Sequence, residues 1–243
     1  MTDTIVESSQ LNSVKIAGIA YLLALLIPTL STIFIFSKLI VPGAIGATVN
    51  NIMANELMFR IGITSDLIMA TIIVLHALVL FVILKTINKN LALLALCWRL
   101  GEASLVCVAA LCGLITLLVL NGKVYSVVFD TAQLQAIAGL FLDIRYAVYF
   151  SIVYIFLGLG SIVFNYLFFK SNYIPRLLAV LGMFSYLLLL IYAFFNILIP
   201  YYAGMMLIQM VFFLPSCIFE IIIGLWLILK GIQVEGPVTK ETG

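Results

Sequence analysis

The chain has 243 residues, 65% of them hydrophobic and 9% charged, with a mean hydropathy of +1.29. No soluble domain of that length needs so much apolar surface, whereas a chain that crosses a bilayer several times does. A net charge of +2 with no basic block argues against nucleic acid as a partner.

Residues 1–14 are polar and carry Asp3 and Glu7 ahead of the first cation, Lys15. That is not the basic start of a cleaved signal peptide, so the first apolar run is expected to remain as a helix. Runs long enough to cross a bilayer, about 20 residues or more, follow at 16–36, 61–84, 91–120, 146–169, 177–199 and 205–229. The reading is an all-α, polytopic membrane protein: one six-helix transmembrane domain over 15–231 with a polar tail over 232–243. Two further stretches, 47–59 and 131–142, mix apolar and polar residues at helical spacing, and Asp130 or Thr131 can cap the second. A single helix over 131–169 would be roughly 58 Å long, far beyond the hydrocarbon core. Both stretches are therefore expected to be short helices lying along the outer interface.

Six crossings put both termini on one side. Lys15, Lys85, Lys89, Lys170, Arg176, Lys230 and Lys240 fall on that side, against Lys38, Arg60, Lys123 and Arg145 on the other. The excess places both termini in the cytoplasm and the protein in the cell membrane.

Charged residues inside the spans carry the functional reading. Glu220 lies ten positions before Lys230, Arg99 nine beyond Asn90, and His76 nine before Lys85. At 1.5 Å per residue all three reach a depth of roughly 13–15 Å from the same side. Glu102 follows Arg99 by three residues on one helix face, so the two can pair within their helix. Two carboxylates then share one guanidinium in a low-dielectric setting. Either His76 supplies a second positive charge or one carboxylate keeps its proton. Such a group suits a proton-responsive or ligand-binding site, and equally a structural ion-pair lock between helices. Pro215, five residues before Glu220, frees the carbonyl of Val211. That bend suits a gate, or is a packing kink. In the fourth span Ala147, Phe150, Tyr154, Gly158, Ser161 and Asn165 recur at helical spacing as a contact stripe.

A second polar group comprises Glu56, Arg60, Asp66, Asp143 and Arg145 at the opposite helix ends. It reads as a balanced ion-pair ring at the interface, or as an outward vestibule that meets an anionic group. Tyr146, Tyr149, Tyr201 and Tyr202 read as an aromatic belt at the same level. Cys97, Cys107, Cys112 and Cys217 all fall within spans and read as small apolar packing residues. The sole histidine, His76, removes multi-histidine zinc and bis-histidine haem sites, so neither metal nor cofactor is expected.

Seven segments carry a resemblance: AGIAYLLA at 17–24, NIMANELMFRIGITSDLI at 51–68, NKNLALLALCWRLGEA at 88–103, LQAIAGLFLDI at 134–144, IPRLLAVLG at 174–182, ILIPYY at 197–202 and FEIIIGLWLILKG at 219–231. Through them the chain resembles a family of uncharacterised, mainly bacterial integral membrane proteins, filed as domain of unknown function 4386, over about 16–231. The resemblance implies a six-helix membrane fold, a bacterial inner membrane, and polar residues at Glu56, Arg60, Asp66, Arg99, Glu102, Asp143 and Glu220 as features of that fold. It implies no activity. The leading reading is a carrier or receptor for a small or lipid-like ligand. The alternatives are a non-catalytic membrane subunit, as partner of another membrane protein or of its own copy, and an intramembrane enzyme on lipid. The last would use Asp66 with Asp143, or Glu102 with Glu220.

Overall fold

Six helical stretches in the computed structural model are long and apolar enough to cross a membrane: Asn12–Leu39, Glu56–Leu84, Lys89–Asn121, Thr131–Ser171, Arg176–Leu198 and Met206–Leu229. The structure describes residues 2–122 and 125–233, so Lys123, Lys240 and most of the 232–243 tail lie outside the described residues. No strand occurs among those described. The all-α reading and the six spans both hold. The chain is a multi-pass integral membrane protein.

In chain order the elements are α1 (Thr2–Ser31), a π-helical segment (Thr32–Phe36), α2 (Ser37–Leu39), α3 (Ile45–Ala54), α4 (Glu56–Leu84) and α5 (Lys89–Asn121). After a short 3-10 turn come α6 (Thr131–Ala147), a second π-helical segment (Val148–Val153), α7 (Tyr154–Ser171), α8 (Arg176–Leu198), α9 (Pro200–Ala203) and α10 (Met206–Leu229). Local chemistry sets several ends. Asn88 caps α5 by accepting from the backbone N–H of Leu91 at 3.0 Å. Asp130 and Gln133 form a reciprocal capping box at the start of α6, at 2.8 and 3.0 Å. Asn172, at φ 55°, closes α7 in the left-handed region.

The six spans stand in chain order around a ring. α1 packs on α4, α4 on α5, α5 on α7, α7 on α8 and α8 on α10, and α10 returns to α1. The closing contact is intimate because two glycines meet there. A Cβ on Gly18 would lie 2.6 Å from the carbonyl oxygen of Gly224, so only a glycine lets α1 and α10 approach this closely. At the end that holds the termini, the Tyr173 hydroxyl lies 3.4 Å from Thr86 Oγ1, and the Tyr173 carbonyl accepts from the N–H of Gln233 at 2.9 Å. The α4–α5 turn, the α7–α8 turn and the segment after α10 therefore share one face of the bundle. Apolar side chains such as Leu26, Leu30, Leu67, Leu111 and Ile191 point outward, as a lipid surround requires.

One expectation changes. Of the two short helices, α3 is separate, but residues 131–142 do not break from the fourth span. They begin a continuous helical run of 41 residues, Thr131–Ser171, roughly 60 Å long at 1.5 Å per residue. The bilayer thickness does not limit this helix because its first part has protein partners. α6 packs against the 33-residue α5 and against α3, burying Ala138, Gly139 and Leu142. The second π-helical segment also shifts the phase of the contact stripe. Gly158, Ser161 and Asn165 are buried, whereas Ala147, before the segment, is exposed.

Candidate functional site

The ring surrounds a half-open cavity of about 340 Å³, bordered by α1, α4, α5, α7, α8, α10 and both π-helical segments. His76, Arg99, Glu102 and Glu220 all border it, so the four residues singled out by depth alone do converge. Their mutual contacts differ from the simplest expectation. Arg99 donates from Nη1 to Glu102 Oε2 at 2.5 Å, a pair within one helix, with both side chains almost fully buried. Gly160 on α7 makes room for it. A Cβ there would lie 2.9 Å from Arg99 Cγ and 3.1 Å from the Ala95 carbonyl oxygen.

Glu220 forms no ion pair with Arg99. Its Oε1 accepts instead from the Tyr186 hydroxyl at 2.9 Å, a bond that ties α10 to α8. Glu220 is only partly buried, since its carboxylate borders the cavity. His76 pairs with neither carboxylate. Both ring nitrogens are buried without a hydrogen-bond partner, and the imidazole stands edge-on to Tyr21 with ring centroids 4.2 Å apart. Thus neither Arg99 nor His76 directly balances the charge on Glu220.

Tyr21 and Tyr186 were missed by the charge-based search. Both are fully buried in mid-span, each edge-on to Phe219 at 6.0 and 5.7 Å between centroids. Their signal was position: a tyrosine far from the interface needs a hydrogen-bond partner inside the protein. Tyr149 also departs from the belt reading. It is partly buried and borders the cavity, whereas Tyr146, Tyr201 and Tyr202 are exposed. Asn165 donates to the Ser161 carbonyl at 2.8 Å and does not reach the cluster. Pro215 leaves α10 unbroken, and the next residue, buried Ser216, donates to the Phe213 carbonyl at 2.8 Å while bordering the cavity.

The outer group does not close into a ring. Arg145 of α6 donates from Nη2 to Asp66 Oδ2 of α4 at 2.6 Å, with both residues buried. The guanidinium also lies 4.2 Å from the centroid of Phe36, a cation–π arrangement. Glu56 and Arg60 form a separate pair along α4, at 2.6 Å, on a more exposed face. Asp143 is exposed and makes no ion pair among the described residues, whereas Asp66 is buried. Among the cysteines, Cys112 is buried and Cys217 partly so, while Cys97 and Cys107 face outward and do not pack within the bundle. No three His, Cys, Asp or Glu side chains gather in a metal-binding arrangement among the described residues.

The arrangement offers a mostly apolar chamber with a few polar groups on its wall. Leu25, Ile33, Met69, Ile73, Val106 and Leu157 supply apolar wall, and the ion pair, Glu220, Gln209 and the tyrosines supply polar atoms. That division matches small-molecule sites, in which a few convergent polar groups orient a mostly apolar ligand.

A model of the family described as Domain of unknown function (DUF4386) matches residues 16–231. No curated protein and no solved structure matches the chain.

Proposed function

The chain belongs to this family, DUF4386, and we propose that it is a carrier or receptor that takes a small or lipid-like molecule into its central cavity. In this reading the protein sits in the bacterial inner membrane with both termini in the cytoplasm, as the excess of basic residues at that end supports. The observation that carries the proposal is the placement of Glu220. It is a carboxylate in mid-span that borders the cavity, hydrogen-bonded to a tyrosine hydroxyl and with no cation within ion-pair distance. A charged group at such depth is costly, and in membrane proteins it marks pathways and ligand sites.

Two structural details favour ligand binding over a lock between helices. The Arg99–Glu102 pair lies within α5 and so joins no two helices. Pro28 and Pro215 lie within α1 and α10, and Pro28 itself borders the cavity. Each proline removes a donor from its ladder, leaving the carbonyls of Ala24 and Val211 without their usual partners. These helices are thereby suited to bend beside the chamber.

Native mass spectrometry on protein extracted gently from its own membrane tests the proposal. The expected result is a bound non-protein mass released on activation. Recovery of the bare chain, or of the chain with a second polypeptide and no small molecule, contradicts it. The latter result turns the reading to a non-catalytic subunit.

A further inference from the structure

The cavity has a sign as well as a shape. One guanidinium and two carboxyl groups border it: Arg99, Glu102 and Glu220. Arg99 is engaged by Glu102. The remaining carboxylate, Glu220, accepts a hydrogen bond from the Tyr186 hydroxyl and has no cation within ion-pair distance. The chamber therefore carries one formal negative charge when both carboxylates are ionised. His76 also borders the cavity, but both of its ring nitrogens are buried, so it adds no charge to balance Glu220 in its neutral form.

Around this charge stand aromatic rings. Tyr21 on α1, Tyr154 on α7, Tyr186 on α8 and Phe213 on α10 all border the cavity. Tyr154 and Phe213 lie 5.3 Å apart between centroids, and Phe213 is seven residues before Glu220 on the same helix. Residues seven apart fall on one helix face. A carboxylate beside several aromatic rings in a mostly apolar chamber is the chemistry that holds an organic ammonium ion. The carboxylate supplies the counter-charge and the ring faces supply cation–π attraction. An anion would meet Arg99 too, but there it must compete with Glu102 and remain near Glu220.

Resting on the reading of the cavity as a ligand site, we infer that its ligand is an organic ammonium ion bearing an apolar group. The ammonium faces Glu220 within the aromatic rings, and the apolar part lies against the wall formed by Leu25, Ile33 and Met69. Ammonium N–H groups donate to the Glu220 carboxylate.

Three probes of similar size and different charge test the assignment: 2-phenylethylammonium, 2-phenylethanol and phenylacetate. Binding is measured by equilibrium dialysis against the full chain in nanodiscs of zwitterionic lipid. The cation is expected to bind at least about tenfold more tightly than the alcohol, the scale of a desolvated cation–π and ion-pair contribution, and phenylacetate more weakly than either. Glu220→Gln is expected to bring the cation down to the level of the alcohol. The comparison of probes on the wild-type chain stands by itself if that variant does not fold. Equal binding of alcohol and cation, or tightest binding of phenylacetate, overturns the ammonium assignment and leaves the cavity reading intact. If none of the three binds while a different mass occupies the protein from its own membrane, the ammonium assignment falls alone. If none binds and the native protein is also empty, both fall.

Discussion

Arg99 and Arg145 are both buried, both bound to a carboxylate, and placed in opposite ways. Arg145 reaches from α6 to Asp66 on α4, 79 residues earlier in the chain, with the Phe36 ring beside it. Its pair joins two helices. Arg99 turns back to Glu102 three residues along α5, on the wall of a cavity. An ion pair that spans helices fixes their relative position, and breaking it leaves a stranded charge in a closed space. A pair within one helix leaves the surrounding helices unconstrained and presents its polar atoms to the chamber. The outer cluster thus reads as structural and the inner one as the candidate site, although their compositions are alike.

Removing one partner of the outer pair should have the largest effect on stability. Asp66→Ala strands the Arg145 guanidinium and is expected to cost about 3–5 kcal/mol in reversible unfolding from mixed micelles. Adding Arg145→Met should recover much of that loss, and a double variant as unstable as the single one would break the comparison. At the inner site the partner identity can be read directly. Arg99→Ala is expected to be rescued by Glu102→Gln, with a coupling of about 1–3 kcal/mol. Glu220→Gln should rescue it less, because Glu220 leans on Tyr186.

Gly18→Leu is expected to cost about 1–3 kcal/mol by forcing α1 from α10, since its Cβ meets the backbone of Gly224. A cross-link between cysteines placed at the α1–α10 contact should form more slowly in that variant. Glu220→Gln alone should change stability by no more than about 1 kcal/mol, because an amide oxygen still accepts from the Tyr186 hydroxyl. Glu56→Ala should leave the unfolding curve unchanged, as its pair with Arg60 lies on a solvent-screened face.

Much of the frame was legible in the residues. Six long apolar runs specify six helices because lipid leaves the backbone no other way to satisfy its own groups. Depth arithmetic brought His76, Arg99, Glu102 and Glu220 to one level, and the cavity confirms that they share a space. Rotation about each helix axis was not legible. Depth cannot tell whether Glu220 faces Arg99 or Tyr186, and the two π-helical segments change phase without a sequence marker. The long fourth helix was misjudged for a different reason. Its length was weighed against the bilayer alone, while α5 and α3 give residues 131–147 a protein surface to lie on. Tyr149 turns inward within the second π-helical segment, with its ring 6.0 Å from the Arg145 guanidinium held at Asp66.

The most direct test of the separation between the two clusters is the occupancy of the cavity in Glu220→Gln protein, extracted from its own membrane beside the wild type and compared by native mass spectrometry at matched unfolding temperature. The predicted result is a bound non-protein mass on the wild type whose share falls sharply in the variant while both remain folded. Equal occupancy in the two proteins, or an empty cavity in both, would contradict it.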